Sequence, residues 1–143
     1  MAVTHNWYAQ AFVTMANKEV DWDTDTVKTM LTTVTYVPNQ NTHKYKSDVT
    51  NEITGTGYTA TGTTISPLTS AEATLVWNLD GADAAWTTAT FTARLAVTYD
   101  ASPATDATRS LLSYVNFGAD QSPAGVNFTV QWAAGGIVQV TVS

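Results

Sequence analysis

Residues 91–99 read FTARLAVTY. Phe91, Ala93, Leu95, Val97 and Tyr99 alternate with Thr92, Arg94, Ala96 and Thr98. Residues two apart share one side of a pleated chain, so the stretch predicts a half-buried antiparallel strand. The period returns at Leu75, Trp77 and Leu79, set between Thr74, Val76 and Asn78. It returns again at Val126, Phe128, Val130 and Trp132, set between Asn127, Thr129 and Gln131. Residues 111–117 and 137–142 complete the set. Turn chemistry separates these runs: Asp80-Gly81, the DASPATDAT stretch ending at Thr108, the segment from Asp120 to Gly125, and Gly135-Gly136. Short strands punctuated in this way predict a mainly β fold, an antiparallel sandwich or barrel-like domain. No repeat of fixed period runs through the chain, which argues against a solenoid or propeller.

Upstream of the strands, Tyr8, Phe12 and Met15 fall at i, i+4 and i+7. That spacing predicts a short N-terminal helix over about 6–17, capped by Asn6 or Thr4 and stopped at Asn17. Three turns are not stable alone in water, so the aromatic stripe must pack on a sheet or another subunit. The polar run from Asp21 to Thr26 then leads into Val27 to Val34. This run is apolar and branched on both faces and reads as a strand buried on both sides. From about 36 to 64 the chain is irregular and rich in Thr and Gly. Pro38 to Asn41 is a turn cluster, and Tyr45 to Glu52 allows one helical turn. Gly55, Gly57 and Gly62 among Thr residues give a flexible or extended stretch with few apolar anchors. A connection this long and polar suits contact with a partner.

The chain has 143 residues, which predicts one domain over 1–143 with a single core. Charged residues make up only 13%, and Thr fills the gap at roughly a fifth of the chain. Six basic against twelve acidic residues give a net charge of −6. The basic residues are scattered, so neither a nucleic-acid backbone nor an anionic membrane surface is an expected partner. No apolar run reaches the length of a spanning helix, and MAVTHNWYAQ lacks the basic-then-apolar start of a signal peptide. Cysteine is absent, which removes disulfides, thiolate nucleophiles and Cys-type zinc sites.

Asp21, Asp23 and Asp25 resemble the start of a calcium loop. Its sixth position should be Gly and is Thr26; its twelfth should be Glu and is Thr32. A solvated turn neutralised by Lys18 and Lys28 is therefore favoured over a metal site. His5 and His43 are the only histidines. His43 lies near Ser47 and Asp48, but no nucleophile elbow accompanies them, and a Ser–His–Asp enzyme is disfavoured. His5 reads as a surface residue. Phosphate loops are absent, because no Lys and helix follow the glycines at 55–62. Trp77 and Trp132 sit on apolar strand faces and read as core. Trp7 and Trp22 flank the helix and remain open between core and interface anchor. Arg94, the sole charge in its strand, calls for an acid on a neighbouring strand or subunit. Asn127-Phe128-Thr129 matches a glycosylation sequon by chance. No catalytic, cofactor-binding or metal residue is expected.

Four blocks carry a resemblance that spans nearly the whole chain. They are NWYAQAFVTMANKEVDWDTDTVKTML (6–31), YVPNQNTHKYKSDVTNEITGTGYTATGTT (36–64), TARLAVTYDASPATDAT (92–108) and VNFGADQSPAGVNFTVQWAAGGI (115–137). Together they resemble a group of small tailed-bacteriophage virion proteins. The resemblance implies a structural, non-enzymatic protein, best matched to a capsid decoration (cement) protein. Its implied partner is the major capsid protein, its implied state a homotrimer or other homo-oligomer, and its implied location the virion. The alternative is a tail or fibre component binding host glycans through exposed Trp or Tyr. A small hydrolase using His43 or paired acids is the remote third.

Overall fold

The computed structural model describes residues 2–143. It is mainly β, with antiparallel sheets and one short N-terminal helix. The order is β1 (Thr4–Trp7), α1 (Ala9–Ala16), β2 (Val27–Thr32), a 3-10 turn (Lys46–Asp48), β3 (Thr63–Thr64), β4 (Leu68–Ala73), β5 (Val76–Gly81), β6 (Ala84–Thr90), β7 (Ala93–Asp100), β8 (Leu111–Gln121), β9 (Ala124–Val130) and β10 (Val138–Thr141). A five-stranded sheet runs β1-β8-β7-β2-β3. Beside it lie a three-stranded sheet, β10-β5-β4, and the ribbon β6-β9. The arrangement is sandwich-like, and no barrel closes.

The centre of the large sheet is buried on both faces. Val27 and Leu31 of β2, with Ala96 of β7 and Val115 of β8, face the small sheets. There they meet Leu79, Trp86, Val130, Ile137 and Val138. Met30, Val97, Tyr99 and Leu111 face the other way, under Tyr8 and Tyr36. The double burial expected for the Val27 strand is present. β7 differs from expectation: it is not half-buried, because Tyr36 and its neighbours cover its second face. Thr29 and Thr98 are buried opposite each other and satisfy their hydroxyls mutually at 3.0 Å. Burying a hydroxyl without a partner is costly, so their pairing lets a Thr-rich strand serve as core.

Several boundaries need correction. The helix starts at Ala9, not at 6, because Thr4–Trp7 pairs with β8 as an edge strand. Its buried positions are Ala11 and Thr14, next to buried Tyr8, while Phe12 of the expected stripe faces outward. The helix ends without a left-handed Asn17. Lys18 takes that role at φ 59°, with Glu19 N–H reaching Thr14 O at 2.8 Å and Lys18 N–H reaching Met15 O at 3.2 Å.

Asp80-Gly81 is no turn; both residues lie in β5 and pair with Thr69 and Leu68. The hairpin turns instead at Thr74-Leu75, both at positive φ. Neither residue favours that region, so no turn signal is visible in the sequence. Strand β4, exposed along nearly its whole length, and strand β6 were likewise unmarked.

Candidate functional site

The segment 36–64 is a strap laid on the large sheet. Gly62 sits at φ +81°, where an added Cβ would lie 2.0 Å from Thr29 O. Only glycine allows this approach to the β2 backbone. Gly57 crosses β6 as closely, with its added Cβ 2.5 Å from Thr87 O. Ile53 is buried in the core, and its N–H bonds Leu31 O at 3.0 Å. Tyr58 OH donates to Glu52 Oε1 at 2.7 Å and accepts from Leu31 N–H at 3.1 Å. The same Glu52 oxygen accepts the Thr61 N–H, and Tyr99 OH donates to Thr61 O at 2.8 Å. Burial raises the Tyr58 phenol well above its usual range, with Glu52 adding to the shift against the Leu31 amide. It remains a neutral donor throughout the physiological range.

Glu52 is the only charged residue among positions 50–64 and is turned inward. Seven of those fifteen positions are Thr. Thr54, Thr56, Thr59 and Thr64 are exposed on the outer face. The result is an uncharged, hydroxyl-bearing surface on a fixed backbone.

The first half of the strap is tied down differently. Lys46 is buried, and its ammonium donates to Asp106 Oδ2 at 2.9 Å. Arg109 reaches the other Asp106 oxygen at 2.9 Å. The Lys46 hydrogen bond, ahead of other influences, holds the Asp106 carboxyl below the usual range. Tyr8 OH and Tyr36 OH share a hydrogen bond of 2.8 Å, and Tyr36 OH lies 3.0 Å from His43 Nδ1. Burial pushes the Tyr36 phenol up to about 12.

The expected chemical clusters come apart. His43 Nδ1 accepts the Asn39 N–H at 3.3 Å. Asp48 instead accepts the N–H groups of Lys44 and Tyr45 at 2.8 and 3.0 Å. Burial pushes the Asp48 carboxyl up, but these two amides outweigh it and hold it below the usual range. Neither Asp48 nor Ser47 hydrogen-bonds His43, so no nucleophile–base–acid line forms. Asp21, Asp23 and Asp25 form a turn: Asp25 Oδ2 accepts Asp21 N–H at 2.7 Å, and Asp21 Oδ1 accepts Asp23 N–H at 3.1 Å. Among the described residues no three His, Asp or Glu side chains converge on a metal position. Lys28 bonds Thr61 rather than these carboxylates, and no ion pair joins Lys18 to them. A cavity of about 380 Å³ lies beside this turn, lined by Asp23, Asp25, Ile65 and Pro67.

Trp22 joins the core, with its indole N–H on Thr69 O at 2.9 Å. Trp77 and Trp132 pack against the core but stay half-buried. Trp86 is buried within an aromatic group formed with Tyr58, Phe91 and Phe128. Arg94 finds its acid on β8, with Asp120 at 3.2 Å. His5 is exposed on β1, its ring 5.6 Å from that of Trp132.

Trp7 opens onto a cleft of about 470 Å³ lined by Trp7, Ala9, Phe12, Gln40 and Asn41. No sequence pattern marks this cleft, because it joins an edge strand, a helix and a distant turn. Among the described residues no helix is long and apolar enough to cross a membrane. Comparison with protein families, with curated proteins and with solved structures gives no significant match to this chain.

Proposed function

We propose that the chain is a structural protein of a tailed-bacteriophage virion, a capsid decoration subunit seated on the major capsid lattice. The sequence resemblance supplies the class. One observation supports the mode of attachment: residues 50–64 of the strap present Thr hydroxyls while their single carboxylate, Glu52, is withdrawn to Tyr58 and Thr61. An interface core loses water, and charge there costs more than a hydroxyl that finds a partner. A fixed backbone also spares the ordering cost of binding. The lattice contact is assigned to the outer face of residues 50–64, and the subunit is expected to act as a homotrimer.

Thr54 and Thr59 are exposed, and no side-chain hydrogen bond of either occurs among the described residues. Thr54→Glu and Thr59→Glu should leave thermal stability within about 0.5 kcal/mol of the parent. Co-sedimentation with undecorated capsids should weaken at least about tenfold, since each places a charge in a dry contact. Unchanged capsid binding by both variants removes this assignment. Removing residues 1–17 is a poor test, because that also deletes β1 and the buried Tyr8.

A further inference from the structure

The Trp7 cleft has a definite chemistry. Trp7 ends the edge strand β1, and its indole N–H donates to Ile137 O at 2.8 Å. One part of the ring packs on the core, so its orientation is fixed. With its only donor spent inside, Trp7 offers the cleft a ring and no hydrogen bond. Phe12 stands beside it, with centroids 5.7 Å apart and planes tilted by 39°. Phe12 is 46% exposed, although a core was available to a helix of this position.

The opposite wall is amide. Gln40 Nε2 donates to Trp7 O at 2.7 Å, and Ala9 N–H donates to Gln40 O at 2.8 Å. These bonds hold the turn against the start of the helix. Asn41 is exposed, and no hydrogen bond of its carboxamide occurs among the described residues. No lining residue carries a charge.

We propose that this cleft binds an uncharged saccharide. Aromatic faces attract the C–H side of a sugar ring through their negative quadrupole. Hydroxyls both donate and accept, and so does a carboxamide, so Asn41 and the free Gln40 oxygen match a polyol edge. A charged ligand would find no counter-charge here. The volume lies within the range of about 300–1,000 Å³ usual for ligand clefts, and apolar walls with a few polar groups are their usual make-up. The location agrees with this use. β1 and β3 are opposite edges of the five-stranded sheet, four strand spacings or about 19 Å apart. A subunit attached through the outer face of residues 50–64, which run into β3, therefore keeps the cleft free. The inference rests on the cleft and not on the virion reading.

The test is a glycan array probed with the intact protein. NMR titration of Trp7 Hε1 and the Asn41 carboxamide follows, using neutral mono- and oligosaccharides of glucose, galactose and N-acetylglucosamine. Saturable shifts confined to Trp7, Phe12, Gln40 and Asn41 are expected, with dissociation constants in the millimolar range typical of about −4 kcal/mol. Phe12→Ala should weaken binding about tenfold and Asn41→Ala several-fold. Thr54→Glu should leave it unchanged. No array signal and no shift at roughly 10 mM sugar overturns the proposal, as does binding that survives Phe12→Ala. Self-association that Phe12→Ala abolishes would assign the cleft to a second copy instead and equally overturn it. Capsid binding by Phe12→Ala, measured in parallel, separates failure here from failure of the lattice assignment.

Discussion

Gly62→Ala is the substitution that tests the strap most severely. The new Cβ would lie 2.0 Å from Thr29 O, 2.6 Å from Thr29 C and 2.7 Å from Met30 Cα. All three are backbone atoms of β2, which is held between β3 and β7 and has no room to retreat. The strap must therefore lift by about 1.4 Å to reach an ordinary contact of 3.4 Å. Lifting strains or breaks the bond from Tyr99 OH to Thr61 O and the pairing of Thr63 with Thr29. A non-glycine residue in the left-handed region adds about 1–2 kcal/mol, and two lost hydrogen bonds add about 1 kcal/mol each. The total of about 3–4 kcal/mol is a large share of the stability of a domain this size. It should lower Tm by about 10 °C in scanning calorimetry. Gly125→Ala is the control: φ is +69°, nothing lies within 4 Å, and only the backbone cost of about 1–2 kcal/mol remains. Hydrogen exchange should show lost protection at Ile65 and Ile53, whose amides bond β2. A Tm change under about 3 °C for Gly62→Ala, or one equal to that of Gly125→Ala, refutes the clamped strap.

Three further substitutions follow from single contacts. Asp106→Asn strands the Lys46 ammonium; because Asp106 is 47% exposed, the cost is discounted to about 1–2 kcal/mol, while Lys46→Met should stay within about 1 kcal/mol in urea melts. The Asp106 carboxyl is held below its ordinary 3.8, so its stabilisation is present above that pH and is lost as pH falls through the folded value. Asp100 has the opposite sign: burial first, then Asp25, raise its carboxyl against the Ser102 amide, so its contribution declines as pH rises past 3.8. Asp100→Asn keeps an acceptor for Ser102 N–H and should raise the urea midpoint at pH 7, removing that decline from a pH series. Thr74→Asn with Leu75→Gly should stabilise the β4–β5 hairpin by about 1–2 kcal/mol, because both residues sit at positive φ.

The parts of the fold legible in the sequence were those where one physical demand acted alone. The alternation of Leu95, Val97 and Tyr99 marks a strand, and the run lies in β7, although both faces of that strand are covered. Val27 to Leu31 carries apolar residues on both sides, Val27 and Leu31 on one and Met30 on the other, because both sides are covered. The sequence was silent where tertiary contact overrode local preference. Thr4–Trp7 carries no strand pattern and is a strand only because β8 offers an open edge. LTSAEA has weak strand propensity throughout and depends on β5 for its pairing. Asp80-Gly81 has ideal turn chemistry, yet Leu68 and Thr69 take it into a ladder.

The same division holds for the candidate sites. The Thr excess at 50–64 is legible and leaves the stretch flexible or extended; the contacts that seat it against β2 and β6 are not legible. Three glycines at close approaches and one inward Glu52 fix it, and none of that has a period. For Trp7 the sequence leaves core and interface anchor open; in the structure its N–H is spent on Ile137 O and its ring lines the cleft. Gln40 and Asn41 gave no sign, since they meet Trp7 only through folding.

Copy number and position in the particle test the central claim most directly. Cryo-electron microscopy of particles purified from a culture producing this chain, combined with quantitative mass spectrometry, supplies both. Density for this fold is expected repeated over the capsid lattice, with the outer face of residues 50–64 against the major capsid protein. Density confined to a single vertex or to the tail, or absence of the chain from purified virions, would contradict it.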